Sequence, residues 1–317
     1  MALNLPAWEP FSSAKNLLIA GMGGGFDVFC ALPIYFALQE RGIRVHLANY
    51  SFTDLASLKT GQRLTETLLG VTADEPLEFG FGYAPELYLA HWFRQRGENV
   101  PIWAFHKTGM RPLMAGYQAL VNHLNIDAIL LVDGGVDSLL RGDEPALGTI
   151  VEDSISLAAV NELDGVDHKG IVCSAFGAEQ DILYAHVFEN MAALTQMGGF
   201  KGACALTPDM PEFQHYEQAV MYVQSQYGQD ASVINSSIVS AVRGEFGNYH
   251  LTEKTHGSVL QISPLMTLYW FFDLGMVASR SLIYEEMLKT ETIYDGFAAI
   301  ARFLRLTPRR YARRLSL

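Results

Sequence analysis

The residues best placed for chemistry in this chain are carboxylates that follow glycine turns. Three stretches share the pattern: Gly21-Met-Gly23-Gly24-Gly25-Phe26-Asp27, Asp133-Gly134-Gly135-Val136-Asp137, and Gly177-Ala-Glu179-Gln-Asp181. Each comes directly after a short apolar run that reads as a strand. Glycine turns free backbone N–H groups to meet an anion. Neighbouring carboxylates can hold Mg²⁺ against ligand phosphates, or bind the hydroxyls of a ribose or sugar, or an amine. Helix capping is the structural alternative for any one of these acids. The expectation is that Gly21, Gly23, Gly24 and Gly25 cradle an anionic group. Asp133 and Asp137 would carry the metal and the catalysis, with Asp27, Gly134, Gly135 and Glu179 contacting the ligand.

Other residues compete for a role. His106, Lys107, Thr108 and Arg111 follow the apolar run Val100–Phe105. His106 is a candidate general acid or base and Arg111 a phosphate or carboxylate clamp, against the reading of a solvated loop in which Thr108 caps a helix from Met110. The acids and histidines of His250-Leu-Thr-Glu253-Lys-Thr-His256 lack the helical spacing of a zinc site. Cys173 ends a strand with no histidine at an informative distance, so it reads as a buried structural thiol. The glycines do not complete a dinucleotide fingerprint: Phe26 stands at the third glycine position, and Ala48-Asn49-Tyr50 lacks the ribose-binding acid. No Gly-Lys-[Ser/Thr] follows them, so this is not a Walker loop.

These residues need a scaffold. Candidate strands are Leu17–Ala20, Arg44–Ala48, Val100–Phe105, Ala128–Val132, Gly170–Ser174 and Gly202–Leu206, with a late one at Ser258–Ile262. Helical patterns follow the first five, and Tyr216–Tyr227 and Ile283–Leu304 read as helices. Strand–helix alternation predicts an α/β fold, Rossmann-like, with a mainly parallel sheet and helices on both faces. In such a sheet the strand ends meet along one edge, so the three acidic turns would face one crevice. Residues 51–81 are less regular and read as an excursion near that edge. One α/β domain over 1–317 is expected, with a subdivision near 210 as the alternative.

The 317 residues are half hydrophobic and 18% charged, enough for a large core. The net charge of −12 argues against nucleic acid as a partner. Six arginines lie between Arg302 and Arg314 with no acid among them. They read as complementing an acidic body or a neighbouring subunit in a homo-oligomer, or as meeting an anion or membrane surface. Three unpaired cysteines, no signal-peptide pattern and no long uninterrupted apolar span predict a cytoplasmic protein with no transmembrane segment.

Gly-Gly-Gly-Phe-Asp at 23–27, Tyr-Ala-Pro-Glu-Leu at 83–87 and Val-Asp-Gly-Gly-Val-Asp at 132–137 resemble the uncharacterised family called domain of unknown function 1152, found in archaea and bacteria. The resemblance implies a Rossmann-like α/β fold. It lends no activity and no residue role. From the residues themselves, the expectation is an enzyme, a transferase or hydrolase acting on a phosphorylated or nucleotide-like small molecule with Mg²⁺. A non-catalytic ligand sensor is the alternative, and a nicotinamide-dependent oxidoreductase a third reading disfavoured by Phe26 and Asn49.

Overall fold

The computed structural model describes residues 6–77 and 82–313. In chain order these form β1 (Asn16–Gly21), α1 (Asp27–Cys30), α2 (Leu32–Glu40), β2 (Arg44–Ser51), β3 (Gln62–Thr65), β4 (Leu68–Val71), α3 (Pro85–Gln95), β5 (Ile102–His106), α4 (Met110–Leu124) and β6 (Ala128–Asp133). There follow α5 (Ile150–Asn161), β7 (His168–Cys173), α6 (Tyr184–Gln196), β8 (Phe200–Ala205), α7 (Pro211–Gln224), α8 (Val233–Val242), β9 (Leu268–Asp273), α9 (Leu274–Arg280), α10 (Tyr284–Met287) and α11 (Ile293–Leu306).

All the described strands join one sheet in the order β3-β4-β5-β2-β1-β6-β7-β9-β8. The five central strands, β5 to β7, are parallel, and antiparallel pairs finish both ends. Side-chain alternation splits the core in two. Leu17 and Ile19 of β1 face one cluster, with Phe29, Leu89 and Tyr216. Leu18 and Ala20 face the other, with Tyr117, Ile155 and Ile300. Helices therefore cover both faces, and β6 is buried along its whole length, as an apolar parallel strand must be. Among the described residues no helix is long and apolar enough to cross a membrane.

The topology explains where a ligand would sit. From β1 the chain runs outward through β2 to β5, then returns to start β6 and β7 on the other side. The order reverses between β1 and β6, where Gly21 pairs with Val132. Chain connections diverge there and leave a crevice outside the carboxyl ends of the strands. As expected, β1, β6 and β7 are adjacent, so the three acidic turns leave from neighbouring strand ends.

Three expected elements need correction. Ser258–Ile262 is not a strand; it contributes one isolated bridge, Ile262 to Gly247, and Pro264 then starts a 3₁₀ turn. The late strand is the aromatic run Leu268–Asp273 instead. Ile283–Leu304 is two helices, because Thr292 and Asp295 form a reciprocal capping box that restarts the chain as α11. Residues 51–77 supply the β3–β4 hairpin, which pairs β4 antiparallel to β5. The rest of the expected excursion, 78–81, and Arg314 lie outside the described residues.

Candidate functional site

The glycine loop after β1 is held from two sides. Asn49, at the end of β2, donates through Nδ2 to the Gly25 carbonyl (2.9 Å) and to Glu86 Oε1 (2.7 Å). Glu86, wholly buried in the first turn of α3, also accepts from Thr53 Oγ1 at 2.6 Å. The residue that departs from the dinucleotide pattern is thus the one that ties the loop to the sheet. Gly24 has φ +100°, and a Cβ there would lie 2.4 Å from the Phe52 ring, which roofs the loop. Lys107 Nζ sits 4.4 Å from the centre of that ring and 3.0 Å from Glu152.

Five carboxylates meet beneath this roof. Asp27 accepts from the Gly23 amide at 2.7 Å. Asp133 accepts from the amides of Gly135 (2.6 Å) and Ser138 (3.1 Å). Asp137 accepts from the Thr149 amide (2.8 Å) and hydroxyl (3.1 Å). Glu179 accepts from the Val136 amide at 2.8 Å. Asp153, from α5, has a buried Oδ1 with no partner among the described residues. α5 itself is tied to the loop by Ser156 Oγ, which donates to the Met22 carbonyl at 2.8 Å. Three of the five are within reach of one ion: Asp133, Asp137 and Asp153 each offer an oxygen within 4.8 Å of the others.

The glycines of the acidic turns make this crowding feasible. A Cβ on Gly134 would lie 2.4 Å from Asp27 Oδ1, and one on Gly135 2.5 Å from Glu179 Oε2. Asp27 and Asp153 both press on Gly23, whose Cβ would sit 2.8 Å from an oxygen of each. Asp133, Asp137 and Asp153 are at most 2% exposed, whereas Asp27 and Glu179 keep some accessible surface and form the rim.

Burial comes first among the causes that raise every one of these acids, and the neighbouring carboxylates add to it. Asp27 is held well above the usual range by burial and then by Asp133. Its residue is only partly covered, but the carboxylate itself is enclosed between Gly23 and Gly134. Asp137 is pushed up to about 8 by burial and by Asp133. Asp153 and Glu179 are raised by burial and then by Asp137 and Asp133. Burial also raises Asp133, against hydrogen bonds from Ser138 and Gly135. The backbone bonds to Asp133 and Asp137 do cap the turns that follow them, yet capping does not account for three buried aspartates with oxygens within 4.8 Å of one another and two further acids raised by them.

Several expected residues lie elsewhere. His106 is exposed at the end of β5 and makes no described contact with the acids. Arg111 is exposed and engaged with Glu291 (3.2 Å) and the Leu288 carbonyl. Thr108 does not cap α4; its hydroxyl donates to the Glu291 carbonyl and Gly109 is the N-cap residue. Asp181 is exposed. Cys173 is buried with its thiol pushed up by burial and Asp133, which leaves it a poor nucleophile. His256 pairs with Glu253 at 2.6 Å. Among the described residues the only group arranged to hold a metal is the aspartate trio. The spacing of the motifs does not reveal Asp153. The available signal was an acidic pair, Glu152-Asp153, at the start of a helix with no other charged residue, buried on every side from Ile150 to Val160.

Two cavities open nearby, one at the glycine loop and one at Glu179. One, of about 380 Å³, is lined by Gly25, Phe52, Tyr83, Ser232 and Lys254. The other, of about 370 Å³, is lined by Glu179, Gly177, Tyr184 and Gln261.

Residues 18–307 match the family described as protein of unknown function (DUF1152), and the chain belongs to it. No curated protein matches the chain.

Proposed function

We propose that this protein binds a divalent cation at Asp133, Asp137 and Asp153, and through it a phosphate-bearing small molecule over the Gly23–Gly25 loop, on which it acts as a hydrolase or transferase. The observation that carries the reading is the Asp153 Oδ1 atom. It is buried with no partner among the described residues, and its strongest electrostatic neighbours are themselves acids, Asp137 and then Asp133, each with an oxygen within 4.8 Å. An unpaired buried carboxylate oxygen costs several kcal/mol unless a proton or a cation meets it. A Mg²⁺ ion bound at about 2.0–2.1 Å places neighbouring ligand oxygens roughly 3 to 4 Å apart, and the three oxygens already approach that spacing.

The remaining groups have separable tasks. The amides of Gly24 and Gly25 donate to no described acceptor, which suits the ligand's anionic oxygens. Lys107, beside Phe52 at the rim, supplies positive charge where the ligand would enter. Asp27 and Glu179, partly exposed and with proton affinity raised chiefly by burial, are the groups suited to giving or taking a proton beside the ligand. The nicotinamide reading loses ground, because Asn49 is committed to Gly25 and Glu86 and no acid replaces it.

The test is a Mn²⁺ titration followed by electron paramagnetic resonance of the free ion. Wild type should remove Mn²⁺ from solution and Mg²⁺ should compete. Asp153→Asn should bind at least tenfold more weakly, a difference of about 1.4 kcal/mol. Absence of binding at millimolar Mn²⁺ and pH 8 would overturn the proposal.

A further inference from the structure

The cavity beside Glu179 does not end there. It shares Gly177, Ile182, Tyr184 and Gln261 with a larger groove of about 790 Å³. That volume is within the range of small-molecule sites. The shared wall is fixed to the acid cluster: the Tyr184 hydroxyl donates to the Glu179 carbonyl at 3.0 Å and accepts from the Glu179 amide at 3.1 Å.

The larger groove differs in character from the acid site. Its walls are mainly aromatic and aliphatic, with Phe176, Phe188, Ile182 and Leu265 prominent and Arg313 at one end. Phe176 anchors the wall, its ring centre 5.0 Å from that of Tyr184 and 4.8 Å from that of Phe188. The backbone that delivers Phe176 is strained. Ala175 just before it, fully buried, has φ +51°, a conformation that costs a non-glycine residue about 1 kcal/mol or more. The turn therefore brings Glu179 to the acids and Phe176 to the groove in one stroke.

We infer that the ligand is amphiphilic: its phosphate group lies at the carboxylates and its apolar or aromatic body runs past Glu179 into the groove walled by Phe176, Phe188 and Leu265. This rests on the cation-dependent phosphate site proposed above and names the substrate class for it. The occupant is the organic part of that same molecule, because the groove is continuous with the cavity that Glu179 lines. A free sugar phosphate, polar throughout, would leave these walls wet. A purely polar nucleotide tail would gain nothing from them.

The probes are 1-naphthyl phosphate and inorganic phosphate, titrated calorimetrically into the full chain with excess Mg²⁺. Naphthyl phosphate should bind at least tenfold more tightly. Phe188→Ser should remove most of that advantage and leave inorganic phosphate unchanged; Leu265→Ser provides the same test if the first variant does not fold. Equal affinity for the two probes overturns the inference while the phosphate site stands. A naphthyl preference that survives both substitutions also overturns it, because the body then lies elsewhere. If neither probe binds in the presence of Mg²⁺, the phosphate site itself fails and this inference falls with it.

Discussion

At the scale of single residues, Asp153 makes the sharpest prediction because its two possible partners, a proton and a cation, push stability in opposite directions. Asp153→Asn removes a like charge from a buried cluster, so without metal it should raise stability by on the order of 1 kcal/mol, and the thermal midpoint with it. With Mg²⁺ present the same substitution should lower it relative to wild type. Differential scanning calorimetry in EDTA and in Mg²⁺ reads both, and a variant less stable in both conditions would speak for a purely structural aspartate.

The raised acids also set a pH dependence. Asp137, at about 8, keeps a proton in the folded chain that it loses near 3.8 when unfolded. Between those values the folded state holds more protons than the unfolded one, so stability falls as pH rises. His46 and His215 are shifted down, chiefly by burial, and work in the opposite sense, but only up to their unfolded value near 6.5. From pH 7 to 8.5, then, the metal-free midpoint should drop, and the stabilisation gained from Mg²⁺ should grow as the ion displaces protons. A metal-free midpoint that rises over this interval would contradict the account.

At the scale of elements, the carboxylates depend on how the strand ends are braced. α4 starts against the turn between α10 and α11, where buried Thr290 Oγ1 accepts from the Met110 amide at 2.9 Å and donates to the Met287 carbonyl at 2.7 Å. Thr290→Val keeps the shape and removes both bonds. It should cost about 1–3 kcal/mol in urea unfolding, the range for stranding buried polar groups. A change under 0.5 kcal/mol would mean that this brace is incidental.

The same scale shows what the sequence made legible. The alternating apolar runs and glycine turns located β1, β6 and β7 and put Asp27, Asp133, Asp137 and Glu179 on one edge, because those features are local. Asp153 was hidden because it reaches the cluster from a helix, and helix burial depends on what packs around it. His106 and Arg111 follow a strand that ends on the same edge but two positions away from β1, with β2 between, so sharing an edge did not bring them to the acids. Ser258–Ile262 has the apolar pattern of a strand but forms only one bridge, while the aromatic run Leu268–Asp273 has no alternation to mark it and takes its place between β7 and β8.

At the scale of the whole molecule, the arginine-rich end is used internally. Arg310 pairs with Asp143 (3.0 Å), Glu189 (3.1 Å) and Glu144; Arg302 pairs with Glu286, and Arg313 with Glu189 at 3.1 Å. Of these acids Glu144 is wholly buried, held also by the amides of Arg141 and Gly142 and by Asn190. Arg310→Ala should therefore cost about 1–3 kcal/mol, more than an exposed ion pair would, because it strips a partner from a buried charge. Chemical denaturation measures this. A cost near zero would return the tail to the reading in which it waits for an external anion.

The central claim is that the acids under the glycine loop hold a divalent cation. The most direct measurement is anomalous diffraction from crystals of the protein soaked in Mn²⁺ at pH 8. The account predicts one strong peak bounded by carboxylate oxygens of Asp133, Asp137 and Asp153, absent in Asp153→Asn crystals. No peak between these residues at millimolar Mn²⁺, with the three side chains placed as they are here, would mean that protons alone hold the cluster together.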